Sequence, residues 1–229
     1  MFERPYVLLS CGTSIDGCLD DTSAERLILS NGADLDRVDA ARAACDAIMV
    51  GATTVRRDDP RLVVRSAGRR AERMGRGLPA TPLKVTVTAS GDLDPEARFF
   101  TLGGVDKLVY CAAPALVKAR ERLDDVATVV DAGPDGDLRG VLADLHRRGV
   151  RRLMVEGGQN LHTQLLGEGL VDELHLAIAP FFVGEAGAPR LVGAGRLPVA
   201  GRAELAEVRQ LGDVVVLRYL FGGPGGPGG

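Results

Sequence analysis

Cysteine and histidine are scarce. The chain has four cysteines, Cys11, Cys18, Cys45 and Cys111, and three histidines, His146, His162 and His175. No two cysteines form a C-x-x-C pair, so the ligand spacing that tetrahedral zinc needs is missing and no metal site is expected. The H-x-E and P-C-x-x-C segments of a zinc nucleobase deaminase are missing as well. The cysteines therefore read as structural thiols in a reducing compartment. No apolar run approaches the roughly 18 residues that span a bilayer. With a net charge of −3 and no acidic or basic block, neither a nucleic-acid nor a membrane partner is expected. The start, Met1-Phe2-Glu3-Arg4-Pro5, lacks the basic and apolar parts of a secretory signal, so a cytoplasmic location is expected. No period of repeat length recurs.

What is present is an ordinary globular mixture, 45% hydrophobic and 26% charged over 229 residues, long enough to bury a real core. Short β-branched runs alternate with helix-like stretches. Strands are expected at Tyr6–Ser10, Ala47–Val50, Lys84–Thr88, Lys107–Tyr110, Val126–Val130, Arg152–Val155 and Glu173–Ala179. Helical spacing covers Asp34–Ala44, with Asn31 or Asp34 as cap, then Ala115–Leu123, Leu138–Arg148 ended by Gly149, and Leu161–Glu168. Ala203–Arg209 and Val214–Phe221 flank a turn at Leu211-Gly212-Asp213. This alternation predicts an α/β fold with a central, mostly parallel sheet, helices on both faces and an antiparallel C-terminal hairpin. Arg65–Pro82 reads as a long Arg-rich loop. One domain is expected over residues 1–221, followed by a disordered Gly/Pro tail at 222–229.

Three segments carry chemistry. Ser14-Ile15-Asp16-Gly17 follows the first strand, at the edge where open α/β sheets bind ligands. It reads equally as an ordinary Asx turn with Gly17 at positive φ. Asp16 is the candidate catalytic residue, orienting substrate or relaying a proton through water. The second segment runs from Ala47 to Arg65, where a buried strand meets Gly51-Ala52-Thr53-Thr54 and then Asp58-Asp59-Pro60. Thr hydroxyls and backbone amides at such a turn can bond phosphate or carboxamide. The plainer reading is a helix capped by Thr53 and stopped by Pro60. In the third, Val155-Glu156-Gly157-Gly158-Gln159, a strand ends in an acid, two glycines and a helix start. Glycines let a diphosphate approach the backbone, and the helix N-terminus offers amides and partial positive charge. This is neither the Rossmann nor the P-loop pattern. Glu156 can accept two N–H donors of a heterocycle, or pair with a nearby Arg. Arg42 and Arg65 suit phosphate, or serve as solvated surface charges. Ser90, Arg69 and Arg70 are further phosphate candidates.

Taken in order, these segments resemble the reductase domain of the bifunctional riboflavin-biosynthesis deaminase/reductase and its free-standing homologues. The signatures are S-x-D-G after the first strand, the long pattern from Asp46 to Arg65, V-E-G-G at residues 155–158, and Gly169-Leu170-Val171-Asp172-Glu173-Leu174-His175. The resemblance implies a dihydrofolate-reductase-like fold, a homodimer, and NADPH as cofactor. It implies reduction of a phosphorylated pyrimidine, from ribosylamino to ribitylamino side chain, by hydride transfer to C1′. Carried over by position, the cofactor contacts are Gly12, Thr54, Asp58 and the stretch Gly157, Gly158, Gln159, Asn160, Leu161, His162, Thr163, Gln164, with Ser90 added for the 2′-phosphate. The substrate contacts are Arg42, Leu62, Arg65 and Glu156. The family commonly has a basic residue where this chain has Cys18, and an S-x-W where it has Arg26-Leu27-Ile28. Those departures keep two alternatives open: an NADPH reductase of another pterin- or pyrimidine-like compound, and a non-catalytic NADPH-binding module. No deaminase segment precedes the reductase pattern, so deamination is expected of another protein.

Overall fold

The computed structural model describes residues 3–23, 25, 27–194, 197 and 202–222. Arg26 and nearly all of the Gly/Pro tail lie outside them. Contacts divide the chain into two compact units. The first takes in the N-terminal residues through Pro5 and Asp39–Met154; the second takes in Tyr6–Val38 and the chain from Val155 onward.

In the first unit the strands are β2 (Ala47–Gly51), β3 (Leu83–Thr88), β4 (Lys107–Cys111), β5 (Thr128–Asp131) and β6 (Arg152–Val155), in the order β5-β4-β3-β2-β6. The pairs β2–β3, β3–β4 and β4–β5 are parallel. Burial on both faces explains the unbroken apolar runs that mark these strands. Ile48, Val50, Val55, Leu62, Leu93, Phe99, Phe100, Val109 and Leu123 pack into one cluster. Helices α2 (Ala52–Asp58), α4 (Arg98–Thr101), α5 (Leu116–Leu123) and α6 (Leu138–Arg147) connect the strands. Asp137 caps α6 through the amides of Arg139 and Gly140.

The second unit holds β1 (Tyr6–Thr13), β7 (Glu173–Ile178), β8 (Glu204–Leu211) and β9 (Val214–Leu220), in the order β1-β7-β9-β8. Here β1 and β7 are parallel. The pairs β7–β9 and β8–β9 are antiparallel, the latter closing through a turn at Gly212 (φ 64°) and Asp213. The expected mostly parallel sheet with an antiparallel closing hairpin is thus present. Helix α1 (Gly32–Ala43) is capped by Asn31, whose side-chain oxygen accepts from the Asp34 amide at 3.0 Å. Helix α7 (Gln159–Gly167) ends at a left-handed Gly169 (φ 65°). The Gly169–His175 signature serves this framework. Asp172 accepts the Val7 amide at 2.7 Å, and buried Glu173 pairs with Arg218 and with His175. Among the described residues, no helix is long and apolar enough to cross a membrane.

One expectation is corrected. Arg65–Pro82 is not a loop: Ala67–Gly75 is helix α3. Its apolar residues are too few for periodicity to reveal it, because polar bonds hold it in place. Ser66 caps its first turn through the Arg69 amide at 3.3 Å. Arg73, 3% exposed, donates to the carbonyls of Pro79, Ala43 and Cys45, each at 2.8 Å. A buried guanidinium satisfied by three carbonyls does the anchoring that leucines do elsewhere.

Candidate functional site

In the second unit, β1 runs into the turn Ser14–Cys18. The Ser14 hydroxyl donates to Asp16 Oδ1 at 2.6 Å and accepts the Cys18 amide at 3.0 Å. Asp16 also accepts from the amides of Val183 (3.1 Å) and Gly184 (2.8 Å). The Ser14 bond, then those of Gly184 and Val183, hold its carboxyl well below the usual carboxylate range. Asp16 is therefore an acceptor braced on all sides and cannot donate a proton near neutrality. An ionised carboxylate of this kind can orient a ligand directly. Cys18, at the position where the resemblance leads to a basic residue, is fully buried and bridges Arg190. Ile28 is exposed.

Beyond β6 the chain passes Glu156, which is half-buried, to Gly157 (φ 148°) and Gly158. Gly158 is the N-cap of α7, and no side chain caps this terminus. Helix geometry leaves the first amides of α7, at Gln159, Asn160 and Leu161, without a carbonyl in their own helix. By His162 the ladder has begun, since its amide donates to the Gly158 carbonyl. Within the stretch 157–164, the amides without a helical partner are thus those of the first turn. The His162 ring is fully buried, and burial pushes its pKa down to about 4 against the opposing pull of the Leu191 main chain, so the ring is neutral at pH 7. The Thr163 hydroxyl donates to the Gln159 carbonyl at 2.7 Å and accepts the Gly193 amide at 2.9 Å. Gln159 Oε1 accepts the Arg190 amide at 2.6 Å. The Thr163 hydroxyl and the Gln159 carbonyl oxygen Oε1 are thus engaged within the chain, while Asn160 is exposed. Gln164 is exposed, and Gly12 sits on β1 opposite Ala177.

In the first unit, Thr54 and Asp58 lie on α2, whose N-cap is Gly51 rather than Thr53. The helix stops where Pro60 forbids helical backbone to its predecessor. Asp59 turns left-handed (φ 41°) and pairs with Arg98 at 2.7 Å. Leu62 is left-handed too (φ 44°) and 2% exposed. Such a conformation costs a non-glycine residue about 1–3 kcal/mol, met here by seating the side chain in the core. Any contact of Leu62 with a ligand falls to its main chain. Arg42, on α1 and 8% exposed, donates to the Val63 carbonyl at 3.2 Å, two residues before exposed Arg65. The structure brings these two arginines to one loop. Glu156 belongs to the second unit.

Sequence reasoning missed Asp39. It is 3% exposed and accepts the Arg65 amide, the Ser66 amide at 3.1 Å and Arg69 at 2.9 Å. The D-x-x-R spacing on α1, placing Asp39 and Arg42 on one face, was the available signal. It also missed Arg190, which lies in a stretch without periodicity. The candidates for a 2′-phosphate fare unevenly. Arg69 pairs with Asp39, and Arg70 bonds the Val64 and Arg65 carbonyls. Ser90 is exposed in the turn after β3.

Comparison with known proteins now bears on this arrangement. The RibD C-terminal domain model matches residues 5–217. A 2,5-diamino-6-ribosylamino-4(3H)-pyrimidinone 5′-phosphate reductase from Archaeoglobus fulgidus is 38% identical over 190 residues, 81% of this chain and 85% of that protein. The Methanothermobacter thermautotrophicus protein of the same name is 36% identical over 230 residues, 96% of this chain and 100% of that protein. A crystallised pyrimidine reductase-like protein from Corynebacterium diphtheriae matches with a TM-score of 0.82 and 25% identity, over 94% of this chain and 91% of that one. RibD from Acinetobacter baumannii matches with a TM-score of 0.77 and 26% identity, over 95% of this chain but 58% of that one. The dihydrofolate-reductase-like α/β architecture expected from the resemblance is the one shared with these neighbours. A family match running through nearly every element described above, joined by relatives alike along their length, makes this chain a member of the RibD C-terminal domain family.

Proposed function

We propose that the chain is the pyrimidine reductase of riboflavin biosynthesis, reducing the ribosylamino side chain of a phosphorylated pyrimidine with NADPH. The observation that carries this reading is the Glu156-Gly157-Gly158 junction. It presents an uncapped nine-residue helix, α7, behind residues with no Cβ to block an approaching diphosphate. That donor set fits a dinucleotide. Two relatives, 38% and 36% identical, are named for the 2,5-diamino-6-ribosylamino-4(3H)-pyrimidinone 5′-phosphate, which makes this compound, not yet deaminated, the first substrate to try.

Bound, the reduced nicotinamide supplies the hydride. The remaining work belongs to the chain. In the second unit, the first-turn amides of α7 hold the diphosphate, and Gly12, whose bare Cα faces Leu29 and Ser30, meets the coenzyme through its main chain. Glu156 accepts the paired N–H donors of the pyrimidine. Asp16 fixes the turn that bounds the reacting side and keeps its charge. In the first unit, Arg42 and Arg65 grip the substrate phosphate, Leu62 contributes main chain, and Thr54, Asp58 and Ser90 serve the coenzyme. Addition of hydride at C1′ of the open-chain imine leaves the adjoining nitrogen to take a proton from water. We further read the enzyme as a cytoplasmic homodimer. The exposed Leu205, Val208 and Val215 of the closing hairpin support the second copy.

Titration of the purified protein with NADPH and NADH by calorimetry, followed by NADPH oxidation at 340 nm, tests this. The expected result is uptake of NADPH and turnover of the diamino-pyrimidinone phosphate above its deaminated counterpart and dihydrofolate. Turnover of dihydrofolate or a pterin alone would transfer the chain to the second reading. Uptake without any turnover would leave a binding module.

A further inference from the structure

The segment Pro189–Gly193 crosses from the Asp16 turn to α7 and is bonded at both ends. At the turn, the Leu19 amide donates to the Pro189 carbonyl (2.7 Å), the Leu191 amide to the Gly17 carbonyl (3.2 Å), and the Arg190 guanidinium to the Asp16 carbonyl (2.8 Å). At α7, Gln159 Oε1 holds the Arg190 amide and the Thr163 hydroxyl holds the Gly193 amide. Arg190 is gripped from both sides, by side chain at one end and main chain at the other. The fit leaves no slack at Gly193, where a Cβ would stand 2.6 Å from Gln159 Nε2.

Gln159 and Thr163 lie in the first turns of the helix whose amides are read above as the diphosphate cradle, yet their side chains point their acceptors at this strap. We infer that Pro189–Gly193 is a positioning strap, with Arg190 its central residue, that sets the first turn of α7 relative to the Asp16 turn. Coenzyme affinity then depends on side chains that do not touch the coenzyme. The role rests on the coenzyme reading of α7, while the mechanical link stands apart from it.

Amide hydrogen exchange on the coenzyme-free protein tests the link, and coenzyme titration tests its consequence. Thr163→Val keeps the shape but removes the acceptor for Gly193, whereas Thr163→Ser keeps the hydroxyl. Thr163→Val is expected to speed exchange at Gly193 about tenfold and to carry a severalfold increase to the Leu191 amide at the far end. Thr163→Ser stays near wild type. Arg190→Ala, at an exposed position, is expected to speed exchange at Gly193 and to weaken NADPH about tenfold. Gly193→Ala, which drives Gln159 off the Arg190 amide, does the same. Acceleration confined to Gly193 in Thr163→Val, or an Arg190→Ala protein with wild-type exchange at Gly193 and wild-type affinity, overturns the strap. Should the wild type take up no coenzyme, the coenzyme reading fails alone and the exchange pattern decides the strap.

Discussion

Asp39 and Arg42 stand one turn apart on α1 and grip one loop from the same face. Asp39 takes the amides of Arg65 and Ser66, while Arg42 reaches the Val63 carbonyl. Burial disfavours the Asp39 carboxylate, but the Arg65 and Ser66 amides and Arg69 more than offset it, so its pKa lies below the usual value. The proposed phosphate clamp is thus held by an acid that touches no substrate. Asp39→Asn is expected to raise KM for the phosphorylated substrate about tenfold, equivalent to roughly 1.4 kcal/mol, with kcat within twofold. Steady-state kinetics against a substrate lacking the phosphate supplies the control, because that KM should not move.

The first turn of α7 gives a prediction with opposed signs. Asn160→Asp places a negative charge at an exposed position beside the helix N-terminus. A free helix gains roughly 0.3–1 kcal/mol from such a charge, whereas a bound diphosphate is repelled by it. Thermal unfolding should show an equal or higher Tm, and calorimetry a Kd for NADPH raised about tenfold. A Kd that falls with Tm would place the diphosphate elsewhere.

Asp16 should leave no mark on the pH profile. Its folded pKa is depressed by the Ser14, Gly184 and Val183 bonds, so the stability it contributes is present above the unfolded value. That contribution is lost only as the pH falls through the lower, folded one. Between pH 5 and pH 9 its charge is constant. Asp16→Asn is expected to lower kcat by loosening the Val183–Gly184 segment, while both limbs of kcat/KM against pH stay in place. A shifted limb would restore Asp16 as a proton carrier.

Lys84, within reach of the Arg42 charge, offers a stability test. It is fully buried, donates to the carbonyls of Phe99 (3.0 Å) and Leu102 (2.7 Å), and burial, then Lys107 and Arg42, push its pKa down to about 8. The folded state therefore releases this proton before the unfolded chain does, and the group's contribution to stability rises as pH climbs from about 8 towards its unfolded value near 10.4. Lys84→Met should flatten that rise in denaturant melts. At pH 7 it should cost about 1–3 kcal/mol for the two carbonyls left without a donor.

The sequence alone determined whatever depends on period, punctuation and order along the chain. Runs such as Ala47–Val50 and Arg152–Val155 are apolar throughout because parallel strands bury both faces, and this made the central strands legible. Asn31, Pro60, Gly149 and Gly212 set starts, stops and turns through their own backbone chemistry. The succession of Ser14–Gly17, Asp46–Arg65 and Val155–Gly158 was enough to point to the family. Tertiary structure decided which side chains were still available for chemistry. Asp16, Gln159, Thr163 and Arg69 read as ligand contacts in a string of letters, and the fold adds to each a partner distant in the chain. Helix α3 escaped notice because Arg73, bonded to remote carbonyls, replaces the apolar stripe that periodicity detects. Arg190 emerged only with the fold, and the D-x-x-R spacing could put Asp39 on the face of Arg42 but not name its partners, since a polar group's role is set by its partner across space.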